Sequence, residues 1–343
     1  MNLDKLFGPA SDGRMKAVRI ASDHTISVVE TTVPSIASGE VLIRPACCGI
    51  CGTDLHILRH GFVGTNYPVT PGHEFAGHVV AVGSDVRHLR EGDFVAVDPN
   101  VVCGACRWCH AGRPNLCIQL SPIGVGRPGA AAEFVSAPGK NAIKVDESVG
   151  HGVAALIEPL ACALHAVESS QGIHDRAALV IGGGAMGLLI AIAARKLGAG
   201  RVTLSDPSPA KRDIARQAGI EDVRSPDQIG EEYFDVVFEA AGVAPALKQA
   251  LNCVEKTGVL VQVGVHDADA VSKFNPFKLY ERELRFIGSN SCADKFEAAA
   301  ELMPDIRDAA SLLIGQSYPV WNFEDAVQGM ETGRAVKTQL LIS

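Results

Sequence analysis

Positively charged residues are fewer than negatively charged ones in this sequence. Its 343 residues include 31 lysines and arginines against 39 aspartates and glutamates, which gives a formal net charge of -8 at pH 7. Such a chain has no general attraction for nucleic acid phosphates or for an anionic membrane surface. We therefore expect neither partner. With 47% hydrophobic and 20% charged residues, the composition is otherwise typical of a globular protein.

The sequence also lacks an apolar N-terminal segment and a clean membrane-spanning run. Asp4, Lys5 and Asp12 lie within residues 1–14, so we expect a flexible extension there rather than a secretory signal. The longest run without a charge, residues 177–194, reaches about the minimum length for crossing a bilayer. Three consecutive glycines interrupt it where a strand would turn into a helix. We therefore expect a cytoplasmic protein without a membrane segment.

Two patterns divide the chain, which shows no internal repeat. A length of 343 residues exceeds what one core usually supports, since domains tend to split beyond roughly 250 to 300 residues. The first half has short segments rich in valine and isoleucine between Gly, Pro and Asp turns, which indicates β-strands. From about Arg176 onward, apolar strands alternate with helices, which predicts a doubly wound parallel α/β sheet, the Rossmann fold, with roughly six strands.

Domain boundaries follow from these patterns. Residues beyond about 300 are not needed to complete the Rossmann sheet. We therefore assign 166–299 to the α/β domain and 1–165 together with 300–343 to a β-rich domain. The strands predicted for the second half are 177–181, 201–205, 234–239, 258–263 and 284–288. The predicted helices are one that ends near 198 and others at 209–218, 245–253, 295–302 and 323–332. An apolar run at 339–342 follows.

A glycine-rich turn follows the first strand of the α/β domain. Gly182, Gly184 and Gly187 match the pattern GxGxxG, between an apolar strand and a helix. The first glycine permits the turn, the second lets the backbone approach a pyrophosphate, and the third permits close packing of helix on strand. This context favours a dinucleotide site over a plain tight turn. The further residues predicted to contact the cofactor are Ala185, Met186, Lys211, Ala241 and Val263.

An acidic residue ends the next predicted strand. Asp206 lies nineteen residues after Gly187, where a carboxylate binds the ribose hydroxyls of a dinucleotide. Its charge would repel a 2′-phosphate, so we expect NAD rather than NADP. Ser208, Lys211 and Arg212 follow closely and could weaken that preference, which leaves NADP open.

Ten cysteines without an export signal indicate thiol or metal chemistry rather than disulfides. Four of them have the spacing C-x2-C-x2-C-x7-C, namely Cys103, Cys106, Cys109 and Cys117. Four neighbouring thiolates suit a closed tetrahedral zinc site that leaves no position for a substrate. An iron-sulfur cluster is the alternative, because such clusters also use cysteines two residues apart. We expect a structural zinc that holds a loop lacking its own core.

A second set of metal-ligating residue types precedes this cluster. Cys51 opens the segment Cys-Gly-Thr-Asp-Leu-His, and His73 and Glu74 follow in a Gly-His-Glu segment. Thiolate, imidazole and carboxylate are all zinc ligands, and a catalytic zinc needs only some of its positions filled by protein. The two segments together favour a catalytic zinc over isolated packing residues.

The order of these segments resembles the zinc-containing medium-chain dehydrogenases. It runs Cys-Gly-Thr-Asp-x-His, Gly-His-Glu, four cysteines, Glu-Pro-Leu and GxGxxG, and the resemblance covers the chain from Met15 onward. It is greatest to the polyol group, such as sorbitol, arabinitol and idonate dehydrogenases, and also to threonine 3-dehydrogenase. The resemblance implies a GroES-like β-rich domain. It also implies the oxidation of a secondary alcohol of a polyol or sugar acid to a ketone, with hydride transfer to NAD(P).

The resemblance also implies the ligands of one catalytic zinc in addition to the structural one. Cys51, His73 and Glu74 match the polyol pattern, and Glu158 matches a second carboxylate that binds zinc directly or through water in relatives. Cys162 occupies the position of the third zinc ligand in alcohol dehydrogenases of the yeast kind. Either Glu74 or Cys162 could complete the site, and we favour Glu74 with Glu158. Because hydride transfer from an alcohol needs no one-electron centre, the iron-sulfur alternative becomes less favoured.

Two further residues match a proton relay in the family. Thr53 and His56 occupy the positions that carry the proton from the bound alcohol towards solvent. A hydroxyl can pass a proton and an imidazole titrates near neutrality. An exposed loop histidine without such a role is the alternative for His56.

Several alternatives concern the activity as a whole. L-threonine as the substrate would need a carboxylate partner such as Arg59 or Arg127. A non-enzymatic zinc- and nucleotide-binding relative is disfavoured by the intact ligands, and zinc-free quinone reductases lack them. The family usually forms homodimers or homotetramers through the coenzyme domains, with residues 260–265 and 284–288 as the expected edge. We expect Cys253 and Cys292 to be buried small side chains, and we assign His60, Cys47 and Cys48 to packing or loops.

Overall fold

In the computed structural model, residues 13–333 and 335–342 are described. Of the predicted N-terminal extension, residues 1–12 lie outside this part, and Arg14 already belongs to the first strand. The strands are β1 (Arg14–Ile20), β2 (Ile26–Thr32), β3 (Glu40–Gly49), β4 (Glu74–Val82), β5 (Phe94–Val97), β6 (Val135–Pro138), β7 (Ala142–Lys144), β8 (Ala177–Ile181), β9 (Arg201–Ser205), β10 (Asp222–Arg224), β11 (Phe234–Glu239), β12 (Val254–Gln262), β13 (Arg285–Gly288), β14 (Ile314–Pro319) and β15 (Lys337–Leu341).

The helices of the described residues alternate with strands mainly in the second half. They are α1 (Gly52–Arg59), α2 (Arg107–His110), α3 (His151–Ala154), α4 (Ile157–Ser169), α5 (Ala185–Lys196), α6 (Pro209–Gln217), α7 (Ala244–Asn252), α8 (Pro276–Glu281), α9 (Phe296–Ser311) and α10 (Phe323–Glu331). A 3-10 turn at Glu147–Val149 precedes α3.

The chain divides into two compact units, and the first contains residues up to Glu158 together with Ala300–Pro304 and Ile314–Ser343. Its main sheet has seven strands in the order β14-β15-β3-β4-β5-β7, with β6 also paired to β3, and β1 and β2 form a separate antiparallel pair. Buried valine, isoleucine and alanine side chains from these strands form its core. The C-terminal β15 therefore completes a sheet that is built mostly from the first half of the sequence.

Strand β3 is central to the arrangement of the first unit. It pairs antiparallel with both β4 and β15, and Gly49 at its end lies opposite Glu74 on one side and Gln339 on the other. Residues far apart in sequence thus meet across one short glycine. The catalytic candidates lie at this end of β3.

The second unit contains Pro159–Ala299 and Asp305–Leu313. Its six strands are all parallel, in the order β10-β9-β8-β11-β12-β13. This is the predicted doubly wound Rossmann sheet. The direction of strand progression reverses between β8 and β11, and in such sheets the ligand crevice lies at the carboxyl ends of the strands at that point.

Two expectations need correction. The helix predicted for 295–302 continues to Ser311 as α9, because buried Met303, Ile306 and Ala310 extend its apolar face past Pro304. A proline inside a helical pattern normally suggests an end there. Of the two segments expected at the sheet edge, β13 is an edge strand, whereas β12 is an interior strand.

The two longest apolar segments considered as membrane candidates fold into the protein core. The uncharged run 177–194 forms β8, a glycine turn and most of α5. Among the described residues, one helical stretch, His151–Ser169, is long and apolar enough to cross a membrane, and 72% of its most apolar window is buried inside the protein. That burial is typical of a core helix.

Candidate zinc and coenzyme sites

Cys51, His73 and Glu74 come together in the first unit. Cys51 is the residue before α1, and His73 and Glu74 lie at the start of β4. One ligand atom from each lies within 4.8 Å of the others. His73 and Glu74 are buried, with 7% and 1% of their surfaces exposed. A thiol, an imidazole and a carboxylate that converge in a sheltered place fit a zinc ion with an open coordination position.

A buried lysine neutralises one of these groups. Lys337 Nζ forms an ion pair with Glu74 Oε2, and the two side chains are 5% and 1% exposed. A Cβ at Gly49 would overlap Glu74 Oε2 and lie 2.8 Å from Lys337 Cε. The glycine therefore provides the slot in which a residue of β4 meets a residue of β15. Although burial lowers it, the Glu74 carboxylate raises the pKa of Lys337, which keeps the ammonium charged.

Asp54 lies beside the imidazole of His73. One oxygen of Asp54 accepts a hydrogen bond from the backbone N–H of Cys51 at 2.9 Å, and the other lies 3.9 Å from His73 Nδ1. Neither Asp54 Oδ1 nor His73 Nδ1 has a hydrogen-bond partner among the described residues. Metal-binding histidines commonly direct their second nitrogen at such a carboxylate. This orphaned pair therefore fits an imidazole whose other nitrogen faces a metal ion.

Glu158 is buried nearby but lies outside the close group. Burial, and secondarily the Glu74 carboxylate, raises the pKa of Glu158 to about 7. Among the described residues, Cys51, His73 and Glu74 form the close group, which does not include Glu158 or Cys162. Cys162 belongs to the second unit. The geometry within the first unit thus favours Glu74 as the third ligand.

Thr53 and His56 lie on α1, directly after Cys51. The hydroxyl of Thr53 is 3.9 Å from the sulfur of Cys51. His56 is partly exposed, and its ring lies 6.3 Å from that of Phe62. Thr53 thus lies beside a candidate metal ligand, and both residues of the predicted relay are partly exposed.

The four cysteines of the C-x2-C-x2-C-x7-C segment form a compact cluster. Their sulfurs lie within 4.8 Å of one another, and the separations are 3.4 Å for Cys117 and Cys103, 3.6 Å for Cys106 and Cys109, and 4.0 Å for Cys103 and Cys109. Tetrahedral zinc with bonds of about 2.3 Å requires sulfurs about 3.8 Å apart. Hydrogen bonds from the amides of Cys109 and Ile118 lower the pKa of Cys106 to about 6. The donor set therefore fits a structural zinc.

The glycine-rich turn of the second unit has the backbone that a dinucleotide site requires. Gly182 has a φ of 110°, and a Cβ there would lie 2.9 Å from the main chain of Ala240 and Ala241. A Cβ on Gly187 would overlap the carbonyl oxygen of Gly182. Gly184 precedes α5 and has open space beside it. Each glycine of the motif thus has a separate structural reason.

Asp206 lies against this turn. It is 6% exposed and accepts hydrogen bonds from the backbone of Gly183 at 2.6 Å and of Ser208 at 2.8 Å. Arg212 donates to the carbonyl oxygens of Asp206 and Pro207 at 2.7 and 2.8 Å. The predicted ribose-binding carboxylate is therefore fixed at the end of β9. The Arg212 guanidinium is held beside it by the backbone carbonyl groups of Asp206 and Pro207.

Glu239, which was not among the predicted site residues, organises the predicted contacts at Ala241 and Val263. This fully buried carboxylate ends β11 and accepts the backbone N–H groups of Ala241 and Gly242, both at 2.8 Å. Its backbone carbonyl accepts from Val263 at 2.9 Å. The second oxygen of the Glu239 carboxylate accepts a hydrogen bond from the Gln262 side-chain amide at 2.5 Å. One residue thus fixes the loop after β11 through its carboxylate and the start of the loop after β12 through its backbone carbonyl.

Two protein families match this chain, one in each half of the sequence. The alcohol dehydrogenase GroES-like domain matches residues 37–147, and the zinc-binding dehydrogenase domain matches residues 185–305. A D-altritol 5-dehydrogenase of Agrobacterium fabrum is 32% identical over 89% of this chain and 93% of its own. An L-threonine 3-dehydrogenase of Alteromonas mediterranea is 28% identical over 94% and 98%.

Solved structures of similar proteins match the fold over nearly the whole length of this chain. A zinc-binding dehydrogenase fold from Sinorhizobium meliloti 1021, bound to NADP, has a TM-score of 0.90 and 34% identity over 96% of this chain and 99% of its own. An alcohol dehydrogenase of Escherichia coli CFT073, complexed with NADH, has a TM-score of 0.88 and 28% identity over the same shares. The predicted fold class and enzyme class are confirmed. The chain belongs to the zinc-containing medium-chain alcohol dehydrogenases, near the polyol dehydrogenases, and is an NAD(P)-dependent alcohol dehydrogenase of the zinc type.

Proposed function

We propose that the enzyme oxidises a secondary alcohol of a polyol or sugar acid to a ketone and transfers the hydride to NAD(P). The observation that carries this proposal is the pair of buried carboxylates, Glu74 and Glu158, beside Cys51 and His73. Two carboxylates at these positions follow the polyol pattern. The similarity to the D-altritol enzyme supports the same substrate class.

Cys51, His73 and Glu74 would hold the catalytic zinc, with Glu158 close by. When bound there, zinc supplies a positive charge that lowers the pKa of an alcohol hydroxyl and stabilises negative charge on its oxygen. Asp54, 3.9 Å from the second nitrogen of His73, would orient the imidazole once a metal is bound, and Lys337 balances the Glu74 charge. Thr53 beside Cys51 and the partly exposed His56 would carry the released proton outward.

The coenzyme would bind at Gly182, Gly184, Ala185, Met186 and Gly187, with contacts from Asp206, Lys211, Ala241 and Val263. The buried Asp206 carboxylate favours NAD, since it repels a 2′-phosphate. Similar structures hold NADP in one case and NADH in another. Four cysteines would hold a second, structural zinc, so each chain would bind two zinc ions at these sites.

The domains and the assembly are part of the same proposal. Residues 1–165 and 300–343 would form the catalytic, zinc-binding domain, and 166–299 the coenzyme domain. A cytoplasmic homodimer or homotetramer would form through the edge strand β13, where Phe286 is 42% exposed. Sedimentation of a monomer would contradict this assembly.

Threonine oxidation is the second candidate, because several relatives are L-threonine 3-dehydrogenases. The two arginines that could bind the threonine carboxylate both face carboxylates of the protein itself. Arg59 pairs with Glu331 at 2.5 Å, and Arg127 lies 3.8 Å from Glu40. These contacts leave neither arginine without a carboxylate partner, which disfavours the threonine alternative that depends on them.

The test follows reduced-nicotinamide absorbance with polyols, sugar acids, simple alcohols and L-threonine, with NAD and NADP offered separately. We expect turnover of at least one polyol or sugar acid. Turnover of L-threonine alone would replace the proposal with its alternative. A Cys162→Ala variant serves as the control for the ligand set, and loss of its catalytic zinc would contradict the choice of Glu74.

A further inference from the structure

Two histidines and a glutamate converge on the surface of the first unit. His78 lies in β4, Glu147 begins the 3-10 turn at Glu147–Val149, and His151 begins α3. One ligand atom from each lies within 4.8 Å of the others. None of the three belongs to the cysteine cluster or to the Cys51 group.

The separations suit a metal ion. His78 Nε2 lies 3.1 Å and His151 Nε2 lies 2.9 Å from the same oxygen of Glu147. An ion with ligand bonds of about 2.1 Å places neighbouring ligand atoms roughly 3.0 to 3.4 Å apart in octahedral or tetrahedral geometry. Both imidazole-carboxylate distances are close to that range. Two imidazoles and one carboxylate are a usual ligand set for divalent transition metals.

An aromatic side chain holds both imidazoles in place. Phe94 pairs with His78 across β4 and β5, and its ring centroid lies 5.0 Å from that of His78 and 5.1 Å from that of His151. Asp146 accepts the backbone N–H of Ser148 at 2.9 Å and thereby fixes the turn that carries Glu147. The side chains thus need to move little before an ion binds, and each imidazole frees its Nε2 by carrying its proton on Nδ1 instead.

The cluster is accessible and carries negative charge. The side chains of His78, Glu147 and His151 are 35%, 54% and 45% exposed. The hydrogen bond from His151 lowers the pKa of Glu147, so this carboxylate is ionised at neutral pH. An ion can enter from solvent and keep water on its remaining positions. This differs from the closed cysteine site.

We propose that His78, Glu147 and His151 form an additional binding site for a divalent transition-metal ion such as Zn²⁺ or Cu²⁺. The bound ion connects β4, which begins with Glu74, to the segment 147–154, which leads into Glu158. Because both ends of this link lie in the first unit, binding stabilises that unit against unfolding.

The test counts metal ions in the intact, zinc-loaded enzyme. Wild type and the variants His151→Ala, His78→Ala and Glu147→Gln are dialysed against a series of Zn²⁺ concentrations, and bound zinc is measured by mass spectrometry. His174→Ala is the matched control, since His174 is an exposed histidine that also pairs with a carboxylate, that of Asp175 at 2.9 Å, but in the second unit. We expect each cluster variant to bind one ion fewer than wild type at saturation and the control to match wild type.

A spectroscopic readout identifies the ligands. Cu²⁺ added to the zinc-loaded enzyme should give an electron paramagnetic resonance spectrum with coupling to two imidazole nitrogens. Both His78→Ala and His151→Ala should lose it, and His174→Ala should keep it. Equal zinc content in wild type and His151→Ala, or an unchanged Cu²⁺ spectrum in that variant, would overturn the proposal. His78→Ala and His151→Ala change partly exposed side chains, so the fold should persist.

Discussion

Replacing Lys337 by methionine tests the charge balance beside the candidate metal ligands. The substitution preserves most of the side-chain volume but leaves the Glu74 carboxylate, 1% exposed, without its cation. Removing one partner of a buried ion pair costs about 3–5 kcal/mol of folding free energy, because an uncompensated charge remains in the interior. In zinc-free protein we expect a loss of that size. In zinc-loaded protein the loss should be smaller, since the ion would compensate Glu74.

The assay is unfolding of the zinc-free and zinc-loaded proteins in urea. A second lysine-to-methionine variant is needed to show what the loss of an ordinary ion pair costs. Lys144→Met provides one in the same unit: Lys144 pairs with Asp93 at 2.7 Å, but its side chain is 55% exposed. Asp93 is 6% exposed but keeps its contact with Arg90 when the exposed lysine is removed, so we expect a loss of no more than about 1 kcal/mol. Equal destabilisation by Lys337→Met and Lys144→Met in zinc-free protein would refute the buried pair. Equal losses for Lys337→Met with and without zinc would refute Glu74 as a ligand.

Three further predictions concern other parts of the protein. Gly49→Ala should destabilise the first unit by about 1–3 kcal/mol in thermal unfolding, because its Cβ would displace the Glu74–Lys337 pair, whereas Gly39→Ala, with open space around it, should be nearly neutral. Asp206→Ser should raise the efficiency with NADP relative to NAD by on the order of tenfold, about 1.4 kcal/mol, in steady-state kinetics, and an unchanged ratio would argue against ribose binding by Asp206. Glu239→Gln should weaken NADH binding in a fluorescence titration, because a donor NH₂ would face the N–H groups of the loop after β11, and unchanged affinity would mean that the loop needs no such anchor.

Local patterns in the sequence predicted most of the fold. The parallel strands and helices of the second unit follow from their apolar periodicity, and Gly182 from the demand for a positive φ in a tight turn. The cysteine cluster was predictable because its ligands lie within one loop. For Cys51, His73 and Glu74, the residue types were visible but their convergence was supplied by the family resemblance.

Residues that act through distant strand pairing were not predictable. Lys337 meets Glu74 because β15 and β4 both flank β3, and no local pattern distinguishes this lysine from others in the chain. Glu239 resembled an ordinary strand end, although it organises two loops. Asp54 was visible within the Cys-Gly-Thr-Asp segment, and its position one helical turn after Cys51 was the available signal for its role behind His73.

The central claim is that zinc held by Cys51, His73 and Glu74 activates a polyol or sugar-acid hydroxyl. The most direct test measures NADH formation from the best substrate of that class before chelation, after chelation and after Zn²⁺ is returned. The account predicts that wild type loses activity with the metal and regains it with Zn²⁺, whereas Cys51→Ser does not regain it. Full activity in metal-free enzyme, or full recovery in Cys51→Ser, would contradict the account.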